Sequence, residues 1–276
     1  MNDQYGRRIH YLRVSVTDRC GLRCRYCMPE EGVEWLEHSR ILSYEQIVRL
    51  VRAAAGLGID TVRLTGGEPL VRKGLDKLVW AVKAIDGIRT VTLTTNGVLL
   101  AQQLPALRAA GLDGVNLSLD TLDREQYAAI TRRDLLSRAL EGLEAALAAP
   151  GLKVKLNCVP MGDNDGQLVP LAALARDSAL DVRFIELMPI GLGSSLPRRT
   201  QAEVLTRLEG AFGPALPCDQ GGGSGPGRYV TFAGFTGRVG FISAVSHQFC
   251  ESCNRVRLTA TGFLKTCLQY ETGVNL

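Results

Sequence analysis

The sequence predicts an α/β protein built on a mostly parallel sheet, either a curved, open three-quarter barrel or a doubly wound sheet. Three observations carry this. From Tyr11 to Leu187, short β-branched runs alternate with longer amphipathic segments at a period near the ~30 residues of a βαβ unit. The runs are mostly apolar, as they are when both faces of a sheet are covered. Six can be read, short of the eight that close a barrel.

The six strands fall at Tyr11–Thr17, Thr61–Thr65, Thr90–Thr95, Gly114–Leu119, Lys153–Val159 and Val182–Leu187. The clearest helix begins at Ser43. There Ser43 and Gln46 have capping-box spacing ahead of Ile47, Leu50, Val51 and Ala54, and Gly56 and Gly58 end the helix. After Pro189 the pattern changes. Thr200–Phe212 reads as a helix, Gly221-Gly-Gly-Ser-Gly-Pro-Gly227 as a flexible linker or loop, and short strands follow near Tyr229–Phe232, Val239–Ser243 and Val256–Leu258. Thr259-Ala-Thr-Gly-Phe reads as a hairpin turn. This places one domain over residues 1–190 and a smaller α+β segment over 191–276. In either sheet form, ligands belong at the C-terminal strand ends.

With 276 residues, 46% of them hydrophobic, the chain can bury a substantial core. No stretch approaches the ~18 uninterrupted apolar residues of a membrane helix, and the N-terminus lacks the apolar core of a leader, so a soluble cytoplasmic protein is expected. A net charge of +4 with interspersed signs gives no argument for nucleic acid. Six of the eight cysteines form two tight clusters, which points to metal rather than disulfides. His10, His38 and His247 are scattered and read as surface or structural residues. Cys158 reads as core, and Cys218 as incidental.

Cys20-x3-Cys24-x2-Cys27 directly follows the first strand, where a loop can wrap three thiolates around one inorganic core. A [4Fe–4S] cluster held this way keeps one iron free of protein thiolate, which makes a site for a small molecule. A zinc knuckle, or a cluster completed by a distant cysteine, fits the spacing as well. Thr65-Gly-Gly-Glu-Pro69 ends the second strand, and its paired glycines let backbone approach a ligand closely. Thr94-Thr-Asn-Gly97, Ser118-Leu-Asp120 and Met188 end the third, fourth and sixth strands at the same mouth.

Cys250-x2-Cys253-x13-Cys267 supplies three further thiolates. Zinc would need a fourth ligand, for which His247 is the candidate; a second three-cysteine [4Fe–4S] cluster fits too. Arg255 and Arg257, two apart on a strand, point the same way. They are a solvated face or, beside a cluster, a phosphate clamp of guanidinium forks. Arg13, Arg63 and Lys155 are charges inside otherwise apolar strands and need partners, which a nucleoside triphosphate would supply; Arg183 is a weaker candidate.

The CxxxCxxC spacing with Tyr26 before its last cysteine, followed by Gly-Gly-Glu-Pro, resembles the radical S-adenosylmethionine (SAM) superfamily. The phrase from Phe241 to Leu258, FISAVSHQFCESCNRVRL, resembles the GTP 3′,8-cyclase family of molybdenum-cofactor biosynthesis, and that likeness runs from about Tyr11 to Cys267. It implies a partial (βα)6 TIM-like barrel with two [4Fe–4S] clusters, on Cys20, Cys24 and Cys27 and on Cys250, Cys253 and Cys267. It further implies SAM contacts at Tyr26, Gly67, Ser118 and Met188, and GTP contacts at Arg13, Arg63, Thr94, Lys155, Arg255 and Arg257.

The implied reaction begins with SAM-derived radical abstraction of hydrogen from the ribose 3′ carbon. Attack on C8 of guanine then gives 3′,8-cyclo-7,8-dihydro-GTP, with no protein acid or base assigned. A low-potential electron donor and, by product transfer, cyclic pyranopterin monophosphate synthase are the implied partners, with no nucleic acid or membrane, and a homodimer is allowed. In the family the chain usually continues into further structure and a tail ending in two glycines, whereas nine residues follow Cys267 here. Since that tail is associated with productive catalysis, a chain without it can keep nucleotide binding while losing turnover, and the sequence alone does not decide whether this one does. The rival expectations are another radical SAM enzyme with an auxiliary cluster, such as one modifying a peptide, and an electron carrier or zinc module.

Overall fold

The computed structural model describes residues 2–218 and 225–276; part of the glycine-rich stretch before Gly227 lies outside them. Six βα repeats run in sequence: β1 (Tyr11–Ser15), α1 (Tyr44–Gly56), β2 (Thr61–Thr65), α2 (Leu75–Lys83), β3 (Thr90–Thr95), α3 (Leu100–Ala109), β4 (Gly114–Ser118), α4 (Arg124–Thr131), α5 (Leu136–Ala148), β5 (Lys153–Cys158), α6 (Leu168–Ala173) and β6 (Asp181–Ile185). Then come α7 (Gln201–Phe212), β7 (Leu216–Pro217), β8 (Arg228–Thr231), β9 (Arg238–Ile242), β10 (Arg255–Leu258), β11 (Phe263–Lys265) and β12 (Gly273–Asn275). Each of the six expected strands is present, trimmed or shifted at its ends by no more than two residues. The capping box at Ser43 forms, and an unread one at Thr200 and Glu203 starts α7.

The C-terminal segment does not build a sheet of its own. It adds three strands to each edge of the barrel sheet, giving the order β12-β11-β10-β1-β2-β3-β4-β5-β6-β9-β8-β7. β10 runs parallel to β1 and β9 parallel to β6, while β8 and β11 fold back antiparallel outside them. The order is linear, so the curved sheet stays open between β9 and β10.

The core lies between the sheet and its outer helices. Val14, Val62, Leu64, Val91, Leu93, Val115, Leu117, Leu156 and Val182 alternate along the strands and are fully covered by helix residues such as Ile47, Val51, Leu78, Val79 and Leu107. Strand alternation then sends the intervening residues to the other face, and on that inner face they are polar. Rung by rung, Arg257, Arg13, Arg63 and Thr92 are neighbours, as are Thr94, Asn116, Lys155, Asp181 and Arg238. Cys158 is fully buried, as a core cysteine should be.

Candidate active site

The loop after β1 carries Cys20, Cys24 and Cys27. It is shaped by its own backbone: the Cys27 and Met28 amides both donate to the Cys24 carbonyl, at 2.8 and 3.0 Å. The Arg23 and Arg25 amides donate to Thr131 and Ile130 at the end of α4 (2.9 and 3.0 Å). The Arg23 guanidinium donates to the Cys20 carbonyl at 2.7 Å. Burial pushes all three thiols above the usual range, Cys24 furthest, where the negative neighbours Asp120, Cys27 and Cys20 add to the effect. Cys20 and Cys24 are half-buried and Cys27 is exposed, and grouped thiols that are hard to ionise need a cationic centre to exist as thiolates, which is what an iron–sulfur core provides. The donor set fits.

Gly66 and Gly67 lie against the backbone that leads into this loop. A Cβ on Gly67 would stand 2.4 Å from the Arg19 carbonyl oxygen and 2.6 Å from that of Asp18. The amides of Gly67 and Glu68 donate to the carbonyls of Thr17 (2.8 Å) and Arg19 (2.7 Å). Glu68 is buried, and its carboxylate accepts from the Thr95 hydroxyl and from the amides of Asn96 and Leu70. It thereby ties the end of β2 to the end of β3. Ser118 closes β4, and Met188 lies just past β6 with its carbonyl accepting from Ile190 at 2.8 Å.

Tyr26 packs its ring on Ile130, Met161 and Leu187 and donates its hydroxyl to Asp120 at 2.8 Å. Asp120 also accepts from the Val159 amide at 2.8 Å, and burial pushes its pKa up to about 6. Sequence reasoning placed Asp120 only as a strand-end residue; in the fold it is the anchor of the cysteine loop. Asp120→Asn keeps the shape but turns one acceptor atom into a donor facing the Val159 amide or the Tyr26 hydroxyl. We expect a stability loss of about 1–3 kcal/mol by thermal unfolding, together with weaker iron retention at the first site.

Below this mouth the barrel interior is a cavity of about 410 Å³, lined among others by Tyr11, Arg13, Arg63, Thr94, Lys155, Arg183 and Arg255. Arg257 stands beside Arg13 on the adjacent strand. Among the described residues none of these five arginines meets a carboxylate at ion-pair distance; the nearest pairs are Lys155–Asp181 at 3.2 Å and Arg238–Asp181 at 2.8 Å. Arg63 donates to the Thr92 hydroxyl, and Arg183 donates twice to the Asn157 side-chain Oδ1. Asn116, with its amide oriented to match, accepts from both arginines. Burial first, and the other arginines next, depress the pKa of Arg13; burial likewise depresses those of Arg63 and Arg257. The Arg13 Nε and the Thr94 hydroxyl are buried without a partner. Like charges gathered without carboxylate partners, beside unmet donors, fit a polyanion chemically.

The second cysteine trio lies at the opposite end. Because β10 runs parallel to β1, Cys250 and Cys253, which precede it, sit at the N-terminal strand ends, whereas Cys20 to Cys27 follow the C-terminal end of β1. The β10–β11 hairpin, with Arg257 opposite Lys265, carries Cys267 back to the same end. Cys253 and Cys267 both lie within electrostatic reach of Arg257. The two trios therefore lie at opposite ends of the barrel, the first at the C-terminal strand ends and the second at the N-terminal ends. A three-cysteine donor set again fits an iron–sulfur core.

His247 lines a separate cavity of about 330 Å³ with Gln201 and Ser243, its Nδ1 at 3.0 Å from the Ser246 hydroxyl. Among the described residues no three His, Cys, Asp or Glu side chains converge on a single ion-sized point. The cavity residues Asn116, Asn157, Asp181, Tyr229 and Arg238 were not singled out from sequence. Polar residues alternating with Val and Leu inside strands were the available signal.

A barrel with a CxxxCxxC loop after its first strand and Gly-Gly-Glu-Pro after its second defines a radical SAM protein, and the Radical SAM superfamily model matches residues 14–175. The Molybdenum Cofactor Synthesis C model matches residues 180–276. The chain belongs to the GTP 3′,8-cyclase family. It is 51% identical to the GTP 3′,8-cyclase of Pelotomaculum thermopropionicum over 97% of its own length and 84% of that protein. It is 50% identical to that of Heliobacterium modesticaldum over 100% and 86%.

Among solved structures, SuiB of Streptococcus suis bound to S-adenosylmethionine superposes with a TM-score of 0.69 at 17% identity, covering 97% of this chain and 63% of that one. Native anSMEcpe with bound AdoMet and a Cp18Cys peptide gives 0.61 at 14% identity, covering 95% and 74%. At such identities these two similarities speak for the fold alone.

Proposed function

We propose that the chain is a radical SAM-dependent GTP 3′,8-cyclase of molybdenum cofactor synthesis, converting GTP to 3′,8-cyclo-7,8-dihydro-GTP. The observation that carries this reading is the cation-lined cavity between two cysteine trios at opposite ends of one barrel. When bound, SAM and a reduced iron–sulfur core on Cys20, Cys24 and Cys27 supply the one-electron chemistry that removes hydrogen from the ribose 3′ carbon.

The chain's own residues do the rest by placement. At the upper mouth Gly67 offers backbone at close approach, with Tyr26, Ser118 and Met188 completing the SAM site. Arg13, Arg63, Lys155, Arg255 and Arg257, with the Thr94 hydroxyl, neutralise and orient the triphosphate; Arg183 stands ready beside them. Cys250, Cys253 and Cys267 hold a second cluster at the floor, against the base. The inner face of β1 to β6 separates the two trios by about five residues at ~3.3 Å each, roughly 16 Å, a span suited to one nucleotide stretched between them. Enclosure in the barrel keeps reactive carbon centres from water.

A low-potential electron donor, transfer of product to cyclic pyranopterin monophosphate synthase, and a cytoplasmic setting belong to the same reading. So does the division of labour between residues 1–190 and 191–276. Among the described residues no helix is long and apolar enough to cross a membrane.

Anaerobic incubation with SAM, reductant and GTP tests the proposal: 5′-deoxyadenosine should form as GTP is consumed. Its formation with GTP untouched and a peptide altered would transfer the chain to a peptide-modifying role. In the same assay, Arg255→Ala combined with Arg257→Ala should leave iron and sulfide content intact while weakening GTP binding by about 3 to 5 kcal/mol. Unchanged affinity, measured by calorimetry, would remove the clamp assignment.

A further inference from the structure

The second cysteine pair lies on an exposed segment that crosses the open side of the barrel, from the end of β9 to the start of β10. Something must hold it in place. At its upper end the buried Glu186 carboxylate accepts from the amides of Val245 and Ser246, each at 2.9 Å. At its lower end the support comes from the first residues of the chain. Asn254 accepts from the amides of His10 and Tyr11 and bonds the His10 ring, which is fixed on its other side by Asp60.

The turn before that is built around one arginine. The Asp3 amide donates to the Arg7 carbonyl and the Gly6 amide to the Asp3 carbonyl, both at 3.0 Å, with Gly6 at a φ of +75° that glycine adopts without strain. The Asp3 carboxylate accepts from the amides of Tyr5 and Arg7 and grips the Arg7 guanidinium at 2.7 Å and 2.6 Å. One guanidinium nitrogen is left facing forward, and it donates to the Cys250 carbonyl at 2.8 Å.

We propose that Arg7 is a positioning residue of the second cysteine site: held from behind by Asp3, it fixes the Cys250–Cys253 turn and sets a positive charge beside the iron–sulfur core. The inference rests on the reading of that site as a cluster site. A fixed cation near a cluster favours its reduced, more negative form, and a charge-assisted bond to the ligand turn slows opening of the site. The two effects separate in Arg7→Lys, which keeps the charge but loses the planar fork that spans Asp3 and Cys250.

The test uses the full chain, anaerobically reconstituted, titrated electrochemically by electron paramagnetic resonance with and without SAM. The signal that SAM perturbs reports the first cluster and serves as the internal control. In Arg7→Ala the SAM-insensitive signal should move to more negative potential, and iron from that site should pass to a chelator about tenfold faster, with the first cluster unchanged. Arg7→Lys should restore the potential but not the slow release. The proposal is overturned if Arg7→Ala leaves both potential and release as in the wild type, or if both clusters change alike. A wild-type chain with no SAM-insensitive cluster would overturn the second-cluster reading itself, before any variant is compared.

Discussion

Replacing Cys24 with serine should abolish SAM cleavage, taking 5′-deoxyadenosine below detection while the chain stays folded. Cys24 is the middle residue of the first trio and its most enclosed thiol, and its carbonyl closes the turn on which Cys27 is placed. A serine hydroxyl reproduces the size but does not ionise in a buried site next to Asp120, so one of three anchoring bonds is lost. With three protein ligands for four irons there is no spare thiolate to take over; the remaining free cysteine close to the loop, Cys158, is fully buried behind Asp120 and Asn164. Iron and sulfide should fall by about half relative to wild type, since the second trio is remote. Near-wild-type 5′-deoxyadenosine from this variant would show that the radical chemistry arises elsewhere.

The second large effect is expected from a single methyl group. Gly67→Ala would put its Cβ 2.4 Å from a backbone oxygen and 2.6 Å from another, and neither can swing aside as a side-chain tip can. The Gly-Gly-Glu segment or the Thr17–Arg19 stretch must therefore shift, and both adjoin the Cys20–Cys27 loop where the proposal places SAM. A displacement near 1 Å at a reacting centre costs about a hundredfold in rate, so 5′-deoxyadenosine formation should drop by at least that, with a weaker SAM dissociation constant. Since the cysteines themselves are untouched, iron content should be largely retained. Wild-type SAM affinity in this variant would mean that the backbone at Gly67 does not face the ligand.

Much of this was readable from the chain because the signals were local. Val62 and Leu64, or Val91 and Leu93, announce a strand by alternation, Ser43 and Gln46 announce a helix start, and each cysteine trio announces itself by spacing. The expected charges inside strands, Arg13, Arg63 and Lys155, also came out facing one cavity. What stayed hidden depends on register between distant segments. Nothing near Arg255 says that it will lie beside Tyr11, and that pairing is what sends the second trio to the opposite opening. Asn116 looks like one polar residue in an apolar run until Thr94 and Lys155 are its rung neighbours. Arg7 meets Cys250 across 243 positions of sequence, a contact that no spacing rule anticipates.

The proposed function makes one demand on the chemistry: a nucleotide held by the cavity cations must present its ribose to the upper mouth. GTP carrying deuterium at the ribose 3′ carbon measures this directly. The account predicts 5′-deoxyadenosine that contains the deuterium, recovered in step with consumption of GTP. Unlabelled 5′-deoxyadenosine accompanying full consumption of the labelled nucleotide would contradict it.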